Sequence, residues 1–265
     1  MIDLSKALRT SATVPVQAHW EPIENTANNL HWATEEKFNQ SKAQWHEPVD
    51  MAWEEWLELF NPGPAHPLKS YSTTDFQVFL PPSTANVGDV WDLDSKRILP
   101  FLRQFHPGVT QKAAKACLRA MSPEYADIVF RIHARFILNA SIGAYLRPAQ
   151  FTGHLVINRN SGTIRQFTLS LPRRNSNVDM GAFRSRDIGF VPRMELCSFS
   201  EAQLKSIAWE AAITAEEVEK KFQNAFYKFF EIEWTAIEDA VERAKALNRP
   251  IHAVLLFGVL DDESC

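Results

Sequence analysis

The sequence predicts an α+β protein, with a mainly antiparallel mixed middle domain followed by the start of a βαβ unit. Three observations predict it. Ile128, Phe130, Ile132, Ala134, Phe136 and Leu138 alternate with Asp127, Val129, Arg131, His133 and Arg135, the period of a strand. Phe151–Asn158 and Thr163–Leu171 flank Arg159-Asn160-Ser161-Gly162, a hairpin pattern. After about residue 214 the rhythm becomes helical and then ends in the apolar run Ala253–Leu260, which has the texture of an interior strand. The composition shifts give three segments: a Trp-rich stretch over 1–70, an α+β domain over 71–205, and an incomplete unit over 206–265.

The first segment reads as irregular, with one helix. Trp53, Trp56, Leu57 and Phe60 recur at helical spacing, Pro48 and Asp50 precede them, and Asn61-Pro62-Gly63-Pro64 ends the run. Trp20, Trp32, Trp45, Trp53 and Trp56 are expected to pack, because aromatic side chains bury large areas. No stretch has the alternating Asp/Asn pattern of a calcium loop.

In the middle segment, Gln111–Met121 is rich in Ala and Lys and reads as a helix capped by Thr110. Ile188–Leu196 reads as a further strand, at an edge or with a bulge because of Pro192. Thr214-Ala215-Glu216-Glu217 and Thr235-Ala236-Ile237-Glu238 both read as capping boxes. The second helix should bury Ile237, Val241 and Ala244, with Leu247 as the last candidate, and stop near Asn248. The apolar run Phe226–Ile232 between the helices serves as the first strand of the βαβ unit, and its crossover should be right-handed.

Composition excludes several classes of function. Apolar residues are 45% and charged residues 23% of the 265, ordinary for a globular chain. The net charge of −4, without a Lys/Arg block, argues against bulk attraction to nucleic acid or to an anionic membrane. No apolar run reaches the roughly 18 residues of a spanning helix, and no signal-peptide pattern opens the chain. With only 9 glycines and no Gly-rich phosphate loop, a nucleotide site is not expected. The His and Cys spacings (His106, His133, His154, Cys117, Cys197) do not support a metal site.

The cysteines are the remaining candidates for chemistry. Three cysteines, Cys117, Cys197 and Cys265, are too few for a disulfide scaffold. Cys265 follows an apolar strand and a polar loop, which is where thioredoxin-like folds keep their redox pair. There a helix N-terminus favours the thiolate and a neighbouring group resolves the mixed disulfide. An incidental thiol is the plainer alternative.

At these residues the chain resembles the selenoprotein N family. Leu255-Leu256-Phe257-Gly258-Val259-Leu260-Asp261-Asp262-Glu263-Ser264-Cys265 is similar to the run leading into that family's Ser-Cys-selenocysteine-Gly motif. Upstream matches follow in order: Phe76–Pro82, Phe105–Pro107, Phe130–Phe136, Pro148–His154, Asn177–Met180 and Asp187–Leu196. The resemblance implies a selenol/thiol-disulfide oxidoreductase, with Cys265 paired to a following selenocysteine. The substrate would be a disulfide-containing protein or a peroxide, and the electron donor a thiol. It implies no other cofactor.

Because UGA encodes selenocysteine and is otherwise read as stop, a chain ending at Cys265 is expected to be a truncation of a thioredoxin-like domain. It would then be inactive as written. Animal members carry a membrane anchor, an endoplasmic reticulum location and an EF-hand, none of which is visible here, so a bacterial-type, cytoplasmic relative is the expectation. The rival is a non-catalytic interaction module. Asp261, Asp262 and Glu263 should disfavour a thiolate at Cys265 and suit a selenol better. Arg131, His133, Arg135 and His154 form either an anion- or substrate-binding patch or a solvated, salt-bridged sheet face.

Overall fold

The computed structural model describes residues 2–8, 12–23, 35–44, 50–148, 150–172, 177–183, 185–198 and 207–253. Cys265, the acidic residues before it, Val254–Leu260 of the expected last strand, Trp32 and Trp45 lie outside them. In chain order the strands are β1 (Ile2–Asp3), β2 (Thr13–Trp20), β3 (Leu68–Ser72), β4 (Thr84–Ala85), β5 (Val90–Asp92), β6 (Val109–Met121) and β7 (Tyr125–Asn139). They continue with β8 (Ala144–Pro148), β9 (Phe151–Asn158), β10 (Thr163–Ser170), β11 (Asn177–Ala182), β12 (Ser185–Phe190), β13 (Met194–Cys197) and β14 (Ala211–Ala212). The helices are α1 (Glu35–Lys42), α2 (Trp53–Phe60), α3 (Ser95–Leu102), α4 (Ala215–Phe226) and α5 (Ile237–Leu247).

One large sheet organises these elements, and every ladder among the described residues is antiparallel. β7 is its spine. It pairs along one edge with β6 and along the other with β9 and then β8. β9, β10, β13, β2 and β3 continue the sheet on that side, so strand β2 from the first segment is built into the same sheet as the middle one. β2 alternates Val14, Val16, Ala18 and Trp20 inward with polar residues outward, a period-two signal that the sequence reading passed over.

One face of the sheet is apolar because one side-chain set of each strand is. Ile128, Phe130, Ile132 and Phe136 of β7 stand beside Phe151 and Leu155 of β9 and Phe167 and Leu169 of β10, all buried. α2, α3 and a 3-10 turn at Thr73–Phe79 cover this face with Trp56, Phe60, Ile98, Phe101, Phe76 and Phe79. Phe79 stacks on Phe130 at 4.3 Å between ring centroids, and Tyr71 stacks on Phe101 at 4.5 Å. Of the Trp stripe, Trp20 and Trp56 are buried, and Phe38 of α1 packs between Trp53 and Trp56.

The structure corrects four sequence expectations. Gln111–Met121 is not a helix but most of β6. Ala114, Ala116 and Leu118 are needed as inward residues, with Ala116 beside Phe130, and a full ladder to β7 outweighs the helical propensity of Ala and Lys. Ile188–Leu196 is divided between β12 and β13, which are separated at Val191-Pro192-Arg193. Phe226–Ile232 is not a strand: α4 runs through Phe226, and Lys228–Glu231 forms a 3-10 turn. Phe226 continues the Val218–Phe222 stripe one turn further, so the helical register claims it.

The fourth correction concerns α5. No residue of α5 is buried, and Ile237, Val241 and Leu247 are largely exposed, because no described element covers that stripe. Its N-cap is Ala236 without a side-chain cap, while the Thr235 hydroxyl accepts from Arg243 at 3.1 Å. Three expectations stand in the structure. The Thr214 capping box opens α4, Asn248 closes α5 in the left-handed conformation, and the β9–β10 hairpin turns through Gly162 at φ 69°. Among the described residues no helix is long and apolar enough to cross a membrane.

Candidate functional site

The second face of the sheet carries the polar half of the β7 alternation. Asp127, Val129, Arg131, His133 and Arg135 point to this side. The register places Val156, His154 and Thr152 of β9 beside the first three of them. β14 pairs with the end of β6, and the chain then enters α4, whose capping box is set by Thr214 and Glu217. α4 therefore lies on this polar face. Val218 and Phe222 pack on Cys117 and Val129 to form a small second core. Because α4 covers it, the face is not the solvated surface that its charge pattern suggested. Asp127, Arg131 and His133 are all buried.

Three polar groupings surround that small core. In the first, Nε of Arg131 donates to Nε2 of His133 at 3.0 Å, and Nη2 donates to the Tyr227 hydroxyl at 3.3 Å. Phe226 lies flat on the His133 ring, 4.5 Å away, and its ring centroid is 5.2 Å from the Arg131 guanidinium carbon. In the second, Arg135 stacks over Tyr145 at 4.3 Å, and Asp179 accepts from the Tyr145 hydroxyl at 2.9 Å. Asp179 also pairs with Arg147 at 3.4 Å. In the third, buried Asp127 accepts from Nε of Arg119 and lies 3.5 Å from Nδ1 of His154.

Arg119 reaches Asp127 because β6 bulges there: the register slips between Leu118 and Ala120, and the extra residue is Arg119. Sequence reading missed it, since a strand read as a helix offers no bulge. Arg119, Asp127 and Gln150 are the additions that the fold makes to the expected patch. Arg131, His133, Arg135 and His154 share the face, but the structure divides them among the three groupings. The Arg131 and Arg119–His154 groupings border one cleft of about 390 Å³ under α4, lined among others by Val129, Gln150, Thr152, Val218, Glu219 and Phe222. Two of the strings that carry the family resemblance, Phe130–Phe136 and Pro148–His154, meet at this cleft as neighbouring strands.

Burial works against the thiolate at both described cysteines. Burial pushes the Cys117 thiol up to about 11, outweighing the nearby Lys221 ammonium. Burial and then Glu195 raise Cys197. Both are free thiols; Cys117 is buried, and Cys197 is half-buried between the opposing charges of Glu195 and Arg193. Among the described residues no group of three His, Cys, Asp or Glu is placed to hold a metal ion.

Comparison with known proteins supplies the family. Selenoprotein N of Homo sapiens is 32% identical over an alignment covering 76% of this chain and 45% of that protein. The chain belongs to the selenoprotein N family. Selenoprotein N of Danio rerio and of Mus musculus are each 29% identical, again over 76% of this chain and 48% of theirs. The chain spans less than half the length of these selenoprotein N relatives. No family model and no solved structure matches it.

Proposed function

We propose that this chain serves selenol/thiol-disulfide exchange, with Cys265 and a selenocysteine following it as the redox pair. Membership of the selenoprotein N family carries this reading. The run Leu255–Cys265 supports it, because it places Ser264-Cys265 directly after an apolar, strand-like segment and an acidic loop.

The steps balance as follows. The selenolate attacks one sulfur of a substrate disulfide, forming a selenium–sulfur bond and releasing one substrate thiolate. The Cys265 thiolate then attacks selenium, expelling the rest of the substrate and leaving a Cys265 selenenyl-sulfide. The substrate has gained two electrons from the enzyme, and two external thiols or one dithiol replace them: the first thiol opens the selenenyl-sulfide and the second leaves with it as a disulfide. With a peroxide the selenolate attacks oxygen, water leaves, and Cys265 displaces the second oxygen as water from the selenenic acid. Asp261, Asp262 and Glu263 work against a thiolate and a selenolate alike, but the selenol ionises more readily and so stays ionised despite them.

The test is the reading frame translated through the codon after Cys265 with selenocysteine inserted. Turnover is measured with insulin as disulfide substrate, or hydrogen peroxide, and dithiothreitol as donor. The expected result is a selenenyl-sulfide at Cys265 by mass spectrometry, turnover that falls at least tenfold in Cys265→Ser, and a sluggish enzyme when selenocysteine is replaced by Cys. Equal turnover in Cys265→Ser without a selenenyl-sulfide overturns Cys265 as the redox partner, and no turnover above background in the selenocysteine form overturns the reading in favour of a non-catalytic interaction module.

A further inference from the structure

We infer that the cleft under α4 binds a small organic carboxylate that also carries a hydrogen-bond donor and an apolar body. The residues that carry this inference are all described ones, and none of it depends on Cys265.

Its walls are of two kinds. Val129 on the sheet and Val218 and Phe222 on α4 give an apolar surface, with Pro172 at the rim. The polar groups sit on β6, β7 and β9. Gln150 is 4% exposed, yet its side-chain carbonyl oxygen has no hydrogen-bond partner. A buried acceptor left unpaired is costly, and a ligand that supplies the missing donor relieves that cost. Arg119 uses Nε on Asp127, and both of its Nη groups are without a hydrogen bond among the described residues. Oδ2 of Asp127 fixes Arg119 at the cleft, while its buried Oδ1 lies 3.5 Å from Nδ1 of His154 without a hydrogen bond.

The charge balance selects the ligand. Two guanidinium groups, Arg119 and Arg131, are opposed by the carboxylates of Asp127 and Glu219. The local charge is close to neutral, which suits a monoanion or zwitterion and disfavours a phosphate dianion. A guanidinium fork offered by Arg119 matches a carboxylate in geometry. Gln150 then takes an N–H or O–H of the same molecule, and Val218 with Phe222 take its apolar body. About 390 Å³ is room for an acylated amino acid or a short peptide.

The experiment uses the chain itself, observed by amide NMR at Thr152, His154 and Val218. N-acetyl-L-phenylalanine, N-acetyl-L-leucine and glycyl-L-phenylalanine are titrated beside the primary amide of each and beside inorganic phosphate. Expected is saturable binding of at least one acid, at least tenfold weaker for its amide, and no saturation with phosphate. Gln150→Met should weaken the acid at least fivefold while raising the Tm of the unliganded chain, because it removes an unpaired buried acceptor. A purely structural Gln150 would instead lower Tm. Equal binding of acid and amide, saturation by phosphate, or no shift with any of the three acids overturns the proposal.

Discussion

Nε of Arg131 donates a 3.0 Å hydrogen bond to Nε2 of His133, two residues further along the same strand. Both side chains are buried, and Phe226 closes over them, parallel to the His133 ring within 4°. A ring nitrogen that accepts must be unprotonated, so His133 carries its proton on Nδ1 in this arrangement. His133→Leu keeps the volume and removes the acceptor opposite a buried guanidinium nitrogen. The expected loss is about 2 kcal/mol of unfolding free energy, read from urea denaturation, with His133→Gln retaining part of it. An unchanged midpoint in His133→Leu would show that the hydrogen bond contributes nothing.

The Arg119–Asp127 pair should behave non-additively. The Asp127 side chain is 3% exposed and that of Arg119 22%, so removing the arginine strands a carboxylate in the protein. Arg119→Met is expected to cost about 3 kcal/mol, and Arg119→Met combined with Asp127→Asn less than that. A thermal-unfolding double-mutant cycle checks it. Simple addition of the two single effects contradicts the pairing.

Gly153 is held by packing rather than by backbone conformation. A Cβ there would lie 2.2 Å from the Phe130 ring and 2.5 Å from the Thr168 carbonyl oxygen. Phe130 cannot yield, because Phe79 stacks on its other side at 4.3 Å. Gly153→Ala is expected to cost about 3 kcal/mol by overpacking and to weaken the near-UV circular dichroism of the aromatic core. A variant as stable as the parent would show that the β9–β7 contact is looser than described.

His106 gives the fold a dependence on pH. Burial lowers its pKa, and Nδ1 accepts the Gly108 N–H at 3.1 Å, which only the uncharged ring can do. A histidine whose folded pKa is depressed is protonated first in the unfolded chain. Its contribution is therefore complete above the unfolded value near pH 6.5 and is lost as the pH falls through it towards the folded value. Tm should decline from pH 7 to pH 5 more steeply in the parent than in His106→Asn, whose side-chain oxygen can still accept from Gly108. Parallel profiles would remove His106 from the explanation.

Particular residues show what was legible. β7, β9, β10 and α4 could be read because their signals are local: alternation, a Gly162 turn and a capping box. β6 misled because Ala114, Ala116 and Leu118 make a good helix in isolation, and only the bulk of Phe130 and its neighbours asks for small residues in a strand there. The polar patch was legible as a set of residue types. Its division into three groupings was not, since that depends on Tyr145, Tyr227, Asp179 and Phe226, which arrive from elements far along the chain.

By itself the sequence determined the α+β class, the antiparallel middle region and the family strings, because periodicity and motif are properties of neighbours in the chain. Tertiary structure alone decided the rest. α4 had to fold onto β7 before Arg131 and His133 became buried, and β6 had to bulge before Arg119 met Asp127. Gln150 became an unpaired acceptor only once β9 was covered. Burial is set by what packs on a residue, and that partner is chosen by the fold rather than by the residue's place in the sequence.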